Sequence, residues 1–304
     1  MSASLHRSFL ATVEQVERLS PSFVRVHLGG EDLRSFGDTC LDQRIKLVLP
    51  RQGTPEDPFG GLPEGDEWYL EWRRLPVEER NVFRTYTPAG VDRAAGRLAV
   101  DLVVHGDTGP GSRWALSVAA GEPVMVVGPD ATVPGHELAG VEWTPGSARR
   151  FLLAGDETAV PALVNILSAL PPHATGQAFL EVPVEEDVRE VAHPPGVDLV
   201  WLPRGVGSAH GERLLEAVAG SLAVHPGGRP VEDPTGGGAP DVVDDPEAVP
   251  WEVASVEDDD LAYAWMAAES GAVKALRRHL VGERGWDRRQ IAFMGYWKQG
   301  VSQV

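Results

Sequence analysis

The chain has 304 residues, of which 42% are hydrophobic, and a formal net charge of −18; this length suffices for two ordinary soluble domains. The charge disfavours nucleic acid and anionic membrane surfaces as partners. Its single cysteine, Cys40, excludes an internal disulfide and an iron–sulfur cluster held by four cysteines of this chain.

The beginning of the sequence lacks a basic stretch followed by a long apolar run, and no run approaches the length of a membrane span. We therefore expect a cytoplasmic protein. No group of His, Cys and carboxylate residues has metal-ligand spacing, so no metal site is predicted. No grouping of Ser, His and Asp indicates hydrolysis, and no catalytic residue is assigned.

Residues 1–146 predict an antiparallel β-barrel domain. Short segments of alternating apolar and polar residues, separated by turn-rich stretches, are typical of such strands. The predicted strands are Phe9 to Val16, Phe23 to Leu28, Ile45 to Leu49, Val82 to Thr87, Leu98 to His105 and Val124 to Val127.

Residues 147–304 predict an α/β domain with a mainly parallel sheet. Apolar strands alternate with amphipathic helices from Phe151 onward, and Pro145-Gly146-Ser147 marks the boundary. The acidic, Pro- and Gly-rich segment at about 225–260 predicts a surface excursion from this domain. A solvated loop is the simplest interpretation of it, and a regulatory or docking role is the alternative.

The segment Arg84-Thr85-Tyr86-Thr87-Pro88 carries the first functional signal. Alternation along a strand sends Arg84 and Tyr86 to one face. That face then offers a guanidinium for a phosphate beside an aromatic ring for stacking, which suits a flavin dinucleotide. A surface arginine beside a half-buried tyrosine is the simpler interpretation.

A glycine-rich turn follows the next strand, in the segment from His105 to Leu116. Gly109, Pro110, Gly111 and Ser112 predict a tight turn that leads into a short helix capped by Ser112. Free amides at a helix N-terminus favour anions. The clamp and the turn together indicate one bound pyrophosphate, although an ordinary loop before a helix remains possible.

Four blocks of the chain resemble the siderophore-interacting protein family, the flavin-dependent ferric-siderophore reductases related to ferredoxin–NADP reductases. These blocks are Arg84 to Pro88, His105 to Ala115, Leu153 to Pro161, and Glu269 to Arg278 together with Gly295 to Lys298. The resemblance spans nearly the whole chain and implies FAD as cofactor.

The resemblance assigns Arg84 to the FAD pyrophosphate, Tyr86 to the flavin or its ribityl chain, and Thr87 to the isoalloxazine edge. It places the turn from Gly109 to Ser112 on the other side of the diphosphate. The full set of cofactor-binding candidates is Arg84, Thr85, Tyr86, Thr87, His105, Gly109, Pro110, Gly111, Ser112, Asp156, Thr158 and Trp297.

The implied activity is reduction of Fe(III) in a ferric siderophore to Fe(II), with the siderophore as small-molecule substrate. Siderophores hold Fe(III) through hard oxygen ligands and bind Fe(II) more weakly, so reduction releases the iron. Lys46 and Lys298 lie in the matching blocks and are candidates for binding the anionic siderophore; solvated surface lysines are the alternative. Trp297, or its neighbour Tyr296, is a candidate to cover the flavin, and core packing is the alternative.

The resemblance makes the second domain the NAD(P)H site, with Asp156 and Thr158 in the turn after its first strand. This turn departs from a G-x-G-x-x-G fingerprint, because Asp156 and Glu157 bring carboxylates where a phosphate usually binds. They are interpreted first as first-turn residues that stabilise the helix. The donor phosphates then require other groups, with Arg204, Arg277 and Arg278 as options.

Reduced ferredoxin is the competing electron donor. The acidity of the chain opposes an acidic ferredoxin and favours NADPH or NADH. Two other functions stay open: a general flavin reductase or diaphorase with the same cofactors, and a non-catalytic siderophore-binding protein that has lost the flavin.

Overall fold

The computed structural model describes residues 4–51, 53–54, 56–62, 67–106, 109–221, 249–254 and 262–301. The chain divides into two compact units, one extending to Val141 and the other starting at Glu142. They are referred to below as unit 1 and unit 2. No helix among the described residues has the length and apolar character needed to cross a bilayer.

Unit 1 is built on a seven-stranded antiparallel sheet with the strand order β4-β3-β7-β1-β2-β6-β5. Apolar side chains alternate along its strands, as Phe9, Ala11 and Val13 do in β1, and they form one buried core. The strands are β1 (His6–Ser20), β2 (Phe23–Gly29), β3 (Ile45–Val48), β4 (Phe83–Tyr86), β5 (Pro88–Asp92), β6 (Arg97–Val103) and β7 (Pro123–Pro129).

The two end strands of this sheet, β4 and β5, are separated in the chain only by Thr87. Their direct connection brings the two edges of the sheet together, and β4 also contacts β6. The sheet therefore curves into the expected barrel-like form, and the predicted antiparallel architecture is confirmed.

Two helices accompany this sheet, α1 (Trp68–Arg74) and α2 (Pro110–Ser117). Trp68 and Trp72 lie one turn apart on α1, so they share a face. That face packs with Val48 and Met125 in a second core on the outer side of β3 and β7. The sequence analysis did not predict α1 or β5.

Unit 2 contains a six-stranded sheet with the order β10-β9-β8-β12-β13-β11. All neighbouring pairs are parallel except β11 with β13, so the prediction of a mainly parallel sheet is confirmed. The strands are β8 (Arg150–Gly155), β9 (Thr175–Val182), β10 (Gly196–Pro203), β11 (Trp251–Glu252), β12 (Ala262–Glu269) and β13 (Ile291–Trp297).

Three helices cover this sheet: α3 (Val160–Ala169), α4 (Glu212–Gly220) and α5 (Ser270–Arg277). The central strand β12 is buried along nearly its whole length, as expected for a strand covered on both faces. Helices α4 and α5 pack in one shared core with Met266 and Phe293. Most of the segment 225–260 lies outside the described residues; within it, β11 pairs with β13.

Candidate cofactor site

Strands β3 and β4 form an antiparallel ribbon that places the predicted site residues on two opposite faces. Leu47 pairs with Arg84 and Lys46 pairs with Thr85. Because paired residues of antiparallel strands share a face, Arg84 and Tyr86 lie on one side while Lys46 and Thr85 lie on the other. The predicted common face of Arg84 and Tyr86 is therefore present.

Arg84 and Tyr86 meet the first turn of α2 at Gly111. A Cβ at Gly111 would lie 2.6 Å from Tyr86 Oη and 3.6 Å from Arg84 Cγ. Only the missing side chain allows the tyrosine hydroxyl to approach the helix so closely. The structure thus brings together three of the predicted residues from two separate motifs.

The electrostatics of this group reflect its burial. Burial raises the pKa of Tyr86 to about 12, against the charge of Arg84, so the phenol stays neutral. Burial also lowers the pKa of Arg84, against Tyr86, yet a guanidinium stays protonated. Its Nη1 donates a 2.7 Å hydrogen bond to the Phe83 carbonyl. A positive charge is thereby fixed beside the N-terminus of α2.

Gly109 is the N-cap residue of α2, and Pro110 occupies the first helical turn. The prediction that Ser112 caps this helix is wrong. Ser112 lies inside the first turn, where its Oγ donates to the Val103 carbonyl at 3.4 Å and accepts from the His105 amide at 3.5 Å. Since glycine has no side chain to cap a helix, the amides of Gly111 and Ser112 remain for another acceptor.

This first turn of α2 is a cradle that fits a phosphate. Apart from the chain neighbours of Gly109, no atom of the described residues lies within 4 Å of the position that a Cβ would take there. The amides, the helix dipole and the nearby guanidinium all favour negative charge there. Thr87 is buried, and His105, just before this cradle in the chain, is exposed. Asp107 and Thr108 lie outside the described residues.

Lys46 lies on the opposite face of the ribbon from Arg84. Its Nζ donates to Thr85 Oγ1 at 3.2 Å and lies 5.0 Å from the Phe83 ring centroid. Burial, and then the charge of Arg44, lowers the pKa of Lys46. Thr85 is exposed and Lys46 is half-buried. Lys298, the other substrate candidate, is half-buried just after β13 and belongs to unit 2.

Asp156, at the carboxyl end of β8, is fully buried. Its Oδ1 accepts hydrogen bonds from the amide and the hydroxyl of Thr158, at 3.0 and 2.6 Å. Its Oδ2 accepts hydrogen bonds from the Glu269 amide and from Trp297 Nε1, both at 2.8 Å. The structure thus joins Asp156, Thr158 and Trp297 by hydrogen bonds. Both carboxylate oxygens of Asp156 are occupied by these groups, so Asp156 would act on a ligand by positioning Thr158 and Trp297.

Burial is the main influence on Asp156. Together with the neighbouring charge of Glu157, it raises the pKa of Asp156 to about 7, against the hydrogen bonds from Thr158, Trp297 and the Glu269 amide. Trp297 is further held by Ser270, whose Oγ donates to the Trp297 carbonyl at 2.8 Å. The His210 ring meets the indole edge to face at 4.9 Å. Trp297 is therefore a half-buried ring in a fixed orientation.

Arg204 forms a buried ion-pair triad with two glutamates, which the sequence analysis did not recognise. Its guanidinium donates two 2.9 Å hydrogen bonds to Glu157 and one of 2.8 Å to Glu181. Burial opposes this charge, but the hydrogen bonds and charges of the glutamates outweigh it and raise the pKa of Arg204. As a phosphate ligand, Arg204 is therefore already occupied.

Arg277, another option for the donor phosphates, donates to Glu252 at 2.7 Å. The prediction that Asp156 and Glu157 lie in the first turn of the helix is wrong, because α3 begins at Val160. Glu157 is the fully buried partner of Arg204. Within the described residues, no cluster of His, Cys and carboxylate side chains is arranged to hold a metal ion.

Comparison with known proteins accounts for both units. Residues 12–133 match the model of the siderophore-interacting FAD-binding domain, and residues 148–300 match that of the siderophore-interacting protein. Ferric vibriobactin reductase ViuB of Vibrio cholerae is 29% identical over 100% of this chain and 94% of its own length. The NADPH-dependent ferric-chelate reductase of Escherichia coli is 26% identical over 94% of this chain and 91% of its own length.

Among solved structures, a siderophore utilization protein from T. fusca is 30% identical and superposes with a TM-score of 0.70. The alignment covers 100% of this chain and 97% of that protein. The two matched domains, in this order and over nearly all of the sequence, establish that the chain belongs to the siderophore-interacting protein family.

Proposed function

We propose that this protein is a cytoplasmic ferric-siderophore reductase that uses FAD to pass electrons from NAD(P)H to Fe(III) in a siderophore, so that Fe(II) is released. The proposal rests chiefly on one observation. Arg84 and Tyr86 converge with Gly111 on the first turn of α2, within the residues that match the family's FAD-binding domain. Relatives named as ferric reductases support the reaction.

FAD, when bound, supplies the redox chemistry, by accepting two electrons from the donor and passing single electrons to iron. The protein orients and stabilises it. Arg84 and the amides of Gly111 and Ser112 hold the pyrophosphate, and Tyr86 offers a neutral ring for the flavin. Thr87 serves the isoalloxazine edge, while Thr85, His105, Gly109 and Pro110 complete the surrounding surface.

Trp297 is assigned to the flavin on the family resemblance. Asp156 and Thr158 belong to the same set because they fix the Trp297 ring and the turn before α3. A ring that is already held in one orientation loses less side-chain entropy when it packs against a ligand than a mobile ring does.

Iron enters this reaction as chelated substrate. Fe(III) prefers the hard oxygen ligands of the siderophore, and Fe(II) is held less firmly by them, so the chain needs no iron ligands of its own. Lys46 and Lys298 are proposed to attract the anionic chelate. The name of the Escherichia coli relative supports a reduced nicotinamide, NADPH or NADH, as donor; ferredoxin is the alternative donor.

The test is an anaerobic titration of the purified, FAD-loaded chain. NADPH or NADH is expected to bleach the flavin absorbance, and a ferric hydroxamate siderophore should then restore it while a ferrous trap develops colour. A protein that takes up no FAD would identify a non-catalytic binding protein. Equal turnover with any ferric chelate, at one KM, would identify a general diaphorase.

The placement of the flavin has its own test in Arg84→Ala. Loss of the guanidinium leaves one phosphate charge without a partner, and we expect FAD to bind at least tenfold more weakly. Arg74→Ala is the matched control, because Arg74 is an exposed arginine of α1 in the same unit. Equal FAD occupancy in both variants would show that Arg84 does not hold the pyrophosphate.

A further inference from the structure

Helices α3, α4 and α5 begin at the carboxyl ends of β8, β10 and β12 in unit 2. This is the edge where open α/β sheets bind ligands, and a dinucleotide commonly places its phosphates at such helix N-termini. In this chain, acceptors of the protein itself occupy all three positions: carboxylates at α4 and α5, and backbone carbonyls together with Asp156 at α3.

At α4, the buried Glu181 accepts hydrogen bonds from the amides of Gly211 and Leu214, at 2.8 and 3.1 Å. At α5, Glu269 accepts hydrogen bonds from the amides of Gly271 and Ala272. A phosphate at either terminus would have to displace a carboxylate that already uses these donors. Like charges would oppose any closer approach.

At α3, the turn that begins at Asp156 uses its donors internally. The Thr158 amide donates to Asp156 Oδ1, and the amides of Ala159 and Val160 donate to the carbonyls of Asp156 and Glu157. Pro161 has no amide proton to offer. Arg204, which otherwise could hold a phosphate at this edge, is paired with both Glu157 and Glu181.

Unit 1 shows the opposite arrangement. The first turn of α2 has a glycine N-cap, and Arg84 lies beside it. Among the described residues no side chain caps its amides, whereas the N-termini of α3, α4 and α5 are supplied with acceptors of the protein itself.

We infer that Asp156, Glu181 and Glu269 determine donor specificity, by leaving the pyrophosphate of NAD(P)H without an available N-terminus at the described helices α3, α4 and α5 of unit 2. The donor is then recognised through its nicotinamide mononucleotide half, and the adenosine half adds little to its affinity or to the rate of flavin reduction. This inference rests on the proposed function, because it concerns the nicotinamide donor of that reaction.

The first measurement is the second-order rate constant for anaerobic flavin bleaching in the FAD-loaded full chain. The donors are NADPH, NADH and reduced nicotinamide mononucleotide, and dithionite establishes that the flavin can be reduced. We expect the three rate constants to agree within about tenfold. A mononucleotide slower than NADPH by a hundredfold or more overturns the inference and leaves the proposed function intact.

A flavin that responds to dithionite but to none of the three nicotinamides overturns the donor assignment of the proposed function, and this inference with it. The second measurement is independent of activity: calorimetric binding of 2′-phospho-ADP-ribose, the adenosine half of NADP, to the oxidised FAD-loaded protein. We expect no binding below about 1 mM. Micromolar binding overturns the inference.

The variant Glu269→Ala vacates the amides of α5 and tests the carboxylate directly. We expect the preference for NADPH over the mononucleotide to rise at least fivefold, and calorimetric binding of the adenosine half to become measurable. Glu269→Gln keeps an acceptor for the helix but removes the charge, and should give a smaller rise. Glu283→Gln, at an exposed acid of the same unit, is the control. Ratios unchanged in both Glu269 variants overturn the role of this carboxylate.

Discussion

Replacing Arg204 by methionine would leave two buried carboxylates without a counter-charge. Glu157 and Glu181 are fully buried, and the Arg204 side chain is only 8% exposed. Methionine keeps the apolar stem but offers no donor to either glutamate. Glu181 must also keep its hydrogen bonds to the first turn of α4, so it cannot move out to water without uncapping that helix.

Breaking a buried ion pair by removing one partner costs about 3 to 5 kcal/mol, because an uncompensated charge stays in the interior. A whole domain is stable by only about 5 to 15 kcal/mol. We therefore expect Arg204→Met to remove a large share of the stability of unit 2 at pH 8.

The assay is urea unfolding at pH 8 followed by circular dichroism, with flavin release recorded separately. Arg289→Met is the control, because Arg289 is 77% exposed beside Asp287 in the same unit; an exposed ion pair contributes about 0 to 1 kcal/mol. Adding Glu157→Gln and Glu181→Gln to the Arg204→Met chain should recover much of the loss. A loss of stability no larger than that of the control would refute the reasoning.

Two further predictions concern the two groups of site residues. Gly111→Ala places a Cβ 2.6 Å from Tyr86 Oη; we expect FAD to bind at least tenfold more weakly in equilibrium dialysis, whereas Gly90→Ala, with no atom within 4 Å of its Cβ, should leave the affinity unchanged. Because the pKa of Asp156 is raised to about 7 and its Oδ2 accepts from Trp297 Nε1, the indole N–H resonance of Trp297 should titrate near pH 7. An indole N–H resonance whose position does not change around pH 7 would show that Asp156 keeps one charge state there.

The features of the fold and of the site that depend on local sequence patterns could be predicted from the sequence. Alternation of apolar residues located the strands of unit 1, and the change to strand and helix repeats located unit 2. The common face of Arg84 and Tyr86 follows from the two-residue repeat of a strand. The glycine at 111 was found as part of a turn, but its contact with Tyr86 required the fold.

Contacts between distant parts of the chain could not be predicted in this way. Arg204 is 47 residues from Glu157 and 23 from Glu181, and only the parallel pairing of β8, β9 and β10 brings the three together. From the sequence alone, the position of Arg204 after a strand is as compatible with a phosphate ligand as with a buried ion pair. Ser112 is a similar case, because serine is common at N-caps, yet the N-cap is Gly109, three positions earlier.

The net charge of −18 and the binding of anionic cofactors and chelates are compatible because they act over different distances. At physiological ionic strength, exposed charges are screened beyond about 8 Å. The net charge therefore acts on extended anionic surfaces more than on a small anion that binds at contact distance. At contact distance, the groups that touch a small anion determine whether it binds. Unit 1 offers the N-terminus of α2, which has no side-chain cap among the described residues, together with Arg84. In unit 2, Asp156, Glu181 and Glu269 accept hydrogen bonds from amides of the protein itself.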